Sequence, residues 1–128
     1  NFASDTFKLA LYTSSPYTTA STVYVTGSET TGTEYSAGGN TLTGNAVSNS
    51  ANYATVDFTD SVWGSPTPAT FSAAYGAIYN SSATNKLIVV LDFGGTKSCS
   101  NGTFTVTFPS PTSGSPTGAD ALLSIKSN

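Results

Sequence analysis

The sequence predicts an all-β protein, an antiparallel β-sandwich or a barrel-like, jelly-roll-like fold in a single domain. Three observations predict it. The third quarter, Pro68 to Pro109, holds three apolar runs with the two-residue period of strands. No window carries a sustained helical period of apolar residues. Turn-forming residues recur every 8 to 12 or so positions, the spacing of short antiparallel strands.

Residues 1–5 form an N-terminal arm. Thr6 to Tyr12 then alternates Phe7, Leu9 and Leu11 against Lys8, Ala10 and Tyr12 and reads as a strand, ended by Pro16 and its Ser/Thr neighbours. Ser21 to Thr26 is a second run, with Val23 and Val25 on one side and Tyr24 on the other. Residues 27–44, rich in Gly, Thr, Ser and Glu, are expected to form a long loop with one short pairing around Thr41 to Thr43. Ala46 to Tyr53 is polar and reads as an edge strand; Tyr53 to Phe58 sends Val56 and Phe58 toward a core. Asp60 to Pro68 is turn-rich, and Val62 and Trp63 are expected to cover one end of the core, Trp63 buried against Val62.

The strongest strands follow. Phe71 to Tyr79 and Leu87 to Phe93 are joined by Ser81 to Asn85, and Gly94 to Gly102 is expected to connect them to Thr103 to Phe108. In that last run Phe104, Val106 and Phe108 share one face and Thr103, Thr105 and Thr107 the other. Asn101-Gly102 is a hairpin signal, because both residues tolerate left-handed φ. Residues 109–118 form a Pro/Gly/Ser-rich linker, and Ala121 to Lys126 supplies a final strand.

Composition excludes several function classes. Charged residues make up 9% of the 128 residues, against roughly 25% in ordinary soluble domains. Hydroxyls replace them: 22 Thr and 20 Ser. Disorder requires few aromatics, yet seven Phe, seven Tyr and one Trp are present. A net charge of −3 without any Arg argues against nucleic-acid binding, which requires a cationic stripe. No apolar run approaches the roughly 20 residues of a membrane span, and no signal peptide is visible.

Catalytic chemistry finds little to work with. There is no His, so general acid/base work would fall to Asp or Glu. Cys99 stands alone and reads as a small loop or edge residue. Asp57 and Asp60, three apart at a strand end, have a spacing that could share a cation. Calcium needs six or more oxygens, though, and a turn capped by Asp60 near Val62 is the simpler reading. Asp92 reads as a solvent-facing strand carboxylate or as an edge charge that discourages strand addition. Gly38-Gly39 and Gly94-Gly95 lack phosphate-loop spacing and read as turns needing positive φ. No catalytic residue, metal site or cofactor is assigned, and the chain is expected not to be an enzyme.

Tyr is enriched at interfaces, where its ring buries area and its hydroxyl finds a partner. The candidate partner-facing residues are therefore Tyr17, Tyr24 and Tyr35, with Phe2 on the arm. Phe2 has no place in the first strand's core face. It either anchors in a neighbour's groove or folds back onto its own sandwich. Stacking on sugars would also use exposed tyrosines, so a carbohydrate-binding module stays open.

Thr6 to Ser14, Tyr35 to Gly44, Gly76 to Asn80, Leu87 to Gly94 and Asn101 to Val106 together resemble a family of small tailed-bacteriophage virion proteins, in matching order and spacing. The resemblance covers Asp5 to Leu123 and implies a structural component of the virion, a capsid decoration or cement protein. It implies the outer capsid surface as location, and the major capsid protein and other copies of this chain as partners. Tyr75 departs from it where Arg is expected, so no interface salt bridge is implied there. A tail, neck or fibre module and a host-surface or glycan-binding module are the rivals.

Overall fold

The computed structural model describes residues 1–50, 53–109 and 122–126. These residues contain strands and no helix, so the protein is all-β. The strands are β1 (Phe7–Tyr12), β2 (Asn40–Thr41), β3 (Ala46–Ser50), β4 (Tyr53–Asp57), β5 (Ser61–Trp63), β6 (Ala69–Asn80), β7 (Lys86–Gly102), β8 (Phe104–Val106) and β9 (Leu123–Lys126). They form an antiparallel four-stranded sheet β2-β1-β6-β7, a three-stranded sheet β3-β4-β9 and a β5-β8 pair. Most of the expected linker lies outside the described residues.

One core joins the three sheets. Phe7, Leu9 and Leu11 of β1 meet Phe71, Ala73 and Ile78 of β6, Val56 and Phe58 from β4 and its end, and Trp63, Phe104 and Phe108. The phase expected for the Thr103–Phe108 run holds: Phe104 and Phe108 are buried and Val106 packs against the core. The alternation of β1 does not leave its second face in water, however. Ala10 and Tyr12 pack with Ala77 and Tyr79 in a separate small core on the other side of the sheet. Nearly every β1 side chain is therefore buried.

Several expectations are corrected. Gly94 to Gly102 is not a connecting loop, because β7 runs through it. Asp92 pairs with Tyr75 and Lys97 with Ala73, so five steps on β7 answer two on β6. Gly94 and Gly95, at φ +69° and +123°, absorb the surplus as a bulge, and the Asp92 carboxylate accepts the Gly94 N–H at 2.8 Å. Asn101, at φ +50°, marks a corner rather than a hairpin: β7 leaves β6 at Gly102, and the chain enters β8 two residues later to pair with β5.

Ser61–Trp63 is likewise a strand and not only a turn-rich crossing. Trp63 is buried there, while Val62 points outward at 44% exposure and covers nothing. Ser21 to Thr26 makes only an isolated bridge, Val23 to Lys86, and is no strand. In the long loop, pairing occurs at Asn40–Thr41, with further single bridges from Glu29 to Tyr12 and from Thr33 to Thr70.

Candidate partner interface

The three candidate tyrosines point inward. Tyr12 is buried on β1, and its hydroxyl donates to the Val25 carbonyl at 2.8 Å. That uses its only proton, so the 2.7 Å contact between Tyr12 and Tyr17 has Tyr17 as donor. The Val25 N–H in turn donates to the Tyr17 hydroxyl at 3.4 Å. Both backbone groups of Val25 are thereby clamped to β1 through two phenols.

Glu29 is the second anchor. Its carboxylate accepts the Tyr24 hydroxyl at 2.6 Å, the Tyr35 hydroxyl at 2.8 Å and the Gly38 N–H at 2.7 Å. Charge-assisted bonds of this length are the strong kind. Tyr35 also accepts the Leu11 N–H at 2.9 Å, and Tyr79 donates to the Gly38 carbonyl at 2.8 Å. Tyr24 stacks on Tyr79 with ring centroids 4.5 Å apart, whereas Tyr35 packs edge-on against Phe71 of the main core. Glu29 thus ties together tyrosines belonging to the two cores on opposite faces of one sheet. Burial, reinforced by the charge of Glu29, pushes the Tyr24 and Tyr35 hydroxyls well above their ordinary pKa and raises that of Tyr79, and burial pushes Tyr12 well up too.

Phe2 folds back. Its ring stacks on Phe7 at 5.0 Å and 10°, and the Asn45 amide donates to the carbonyls of Phe2 and Asp5. Of its two placements, the intramolecular one is observed. The four candidates Phe2, Tyr17, Tyr24 and Tyr35 are all half-buried and make contacts within the chain, with part of each side chain left at the surface. The large apolar side chains that are exposed, Val23, Val47, Val62, Ile88 and Leu123, include no aromatic.

The free surface lies elsewhere. β7 is the last strand of its sheet. Its first residues are covered, since the Leu87 N–H donates to the Thr22 carbonyl and Tyr24 to Asn85. From Ile88 onward, among the described residues, no strand pairs with its outer edge. Beside this edge an open groove of about 620 Å³ runs between β7 and β8, lined by Leu91, Phe93, Lys97, Phe104, Val106 and Phe108 among others. An unpaired strand edge offers a row of backbone donors and acceptors to an incoming strand. Two signals in the sequence pointed to this edge: Asp92, as an edge charge, and the paired glycines of a bulge, which edges favour.

Among the described residues no three His, Cys, Asp or Glu side chains gather as a metal-binding group. Asp60 does cap a backbone N–H, but that of Phe108 at 2.9 Å and not one near Val62. Cys99 sits on β7, half-buried, with its thiol directed at the Phe71 carbonyl. No family model, no curated protein and no solved structure matches the chain.

Proposed function

We propose that this chain is a structural component of a tailed-phage particle, a decoration protein seated on the outer face of the assembled head. The observation that carries the reading is the ordered resemblance running from Asp5 to Leu123. The long outer edge of β7 and the groove beside it support it physically, because they are where backbone pairing to a capsid protein or a neighbouring copy can form. A Ser/Thr-rich surface with few charges also packs against neighbours without desolvating many ions.

Such a protein would stabilise the shell by mass action, binding the assembled lattice and not the free subunits. Contacts to two or more capsomers would add avidity. Purified particles provide the test. Quantitative protein analysis of isolated heads should find the chain in many copies on the shell. A few copies confined to the tail would favour a tail, neck or fibre module, and absence from the particle would refute a virion role.

A further inference from the structure

Where β4 ends, Asp57 and Asp60 line one open cleft of about 360 Å³ together with Gly44, Phe58 and Thr59. Asp57 is only 6% exposed, and its Oδ1 is buried without a hydrogen-bond partner. A buried carboxylate oxygen lacking a donor is unfavourable unless a proton or a cation joins it. No basic side chain among the described residues lies within ion-pair range of either carboxylate. Asp60 is exposed and gives Oδ1 to the Phe108 N–H, leaving Oδ2 uncommitted.

The cleft is built rather than incidental. Gly44 sits at φ +67°, and a β-carbon there would stand 2.1 Å from the Thr59 hydroxyl. The Thr59 N–H donates to the Thr43 carbonyl at 2.9 Å, locking that approach. Two separate stretches of main chain are thus pressed together beside the two carboxylates.

We propose that this cleft binds a hard divalent cation, calcium above all, with the carboxylates of Asp57 and Asp60 as its charged ligands. Main-chain oxygens and water would complete the shell. Every available donor is oxygen, which suits calcium's six to eight ligands and flexible geometry; zinc sites draw on His and Cys, and magnesium demands a stricter octahedron. Two carboxylates place the affinity in the weak range, roughly 10⁻⁴ to 10⁻³ M. Through Asp60 the ion would fasten the turn after β4 to Phe108, whose ring packs against Phe58. The site is independent of any role in a particle.

Thermal unfolding of the full chain tests it. Against a chelator, 10 mM calcium chloride should raise the melting temperature by roughly 5 °C, with a midpoint between about 0.1 and 1 mM calcium. Asp57→Asn and Asp60→Asn should each abolish the shift. Asp57→Asn should melt no lower than the parent in chelator, since it removes a buried charge. Asp60 is exposed, so Asp60→Asn keeps the test alive if the other variant fails to fold. Equal melting in chelator and calcium, persistence of the shift in Asp60→Asn, or an equal shift from sodium chloride of matched ionic strength would each overturn the site.

Discussion

Gly39 approaches Leu9 so closely that a β-carbon on it would stand 1.8 Å from the Leu9 carbonyl oxygen. It lies at the crossing where the loop held by Glu29 turns into β2, with φ at +69° and its N–H donating to the Ser36 carbonyl. The close approach brings Asn40 into register with Leu9. Gly39→Ala should therefore lose about 3 kcal/mol of stability, from left-handed backbone cost plus forced displacement of β1. Urea denaturation measures this, and a loss under about 1 kcal/mol would mean that the loop does not grip β1 as described.

Phe104 contacts Phe71 at a centroid distance of 5.0 Å and also meets Trp63 and Phe93. Phe104→Ala should cost about 3–5 kcal/mol, a large part of the roughly 5–15 kcal/mol of a typical domain. Trp63 fluorescence should follow the same unfolding transition. A melting temperature close to the parent's would place Phe104 outside the core.

The raised tyrosines predict an alkaline limit. Their folded-state pKa values lie above the unfolded value of 10.0, so their contribution is fully present below pH 10 and is lost as pH climbs beyond it. The melting temperature should show no tyrosine-dependent decline from pH 7 to 9 and fall above about pH 10. Phenolate absorbance of Tyr12, Tyr24, Tyr35 and Tyr79 should appear together with loss of structure. If the folded chain ionises every tyrosine near pH 10, the inward placement of these hydroxyls is wrong.

The stacked arm belongs to the fold. Phe2→Ala should destabilise the isolated chain by about 1–2 kcal/mol, combining lost aromatic stacking with lost apolar burial. Removing residues 1–4 should do the same, rather than leave the isolated fold untouched as expected of a free arm. Unchanged stability in both would return Phe2 to a partner's groove.

Legibility followed the length of each apolar pattern. β1, β4 and β6 could be read because five or more residues alternate or run apolar before a breaker, which fixes type and phase. β5 could not: three residues flanked by Gly64, Pro66 and Pro68 show no period, and only pairing with β8 makes them a strand. Gly94-Gly95 misled for a different reason, since positive φ serves a turn and a bulge equally well. The tyrosines could be counted but not aimed, because their direction depends on Glu29, which is bonded to Gly38 nine residues away and looks like any of the seven anions. For Asp57 and Asp60 the spacing was visible and the burial of Asp57 was not.

β1 has consequences for synthesis. It emerges well before its main partner β6, whose last residue, Asn80, pairs with Phe7 at the far end of the ladder. At roughly 5–20 residues per second, the 68 residues from Tyr12 to Asn80 take about 3–14 s to follow. For that interval Phe-Lys-Leu-Ala-Leu-Tyr, a strand nearly all of whose side chains end up buried, has at most the two-residue pairing with β2 and lacks its main ladder. A nascent chain of this protein thus passes through a window of stickiness that a host's chaperones are suited to shield, and yield in recombinant production should respond to them.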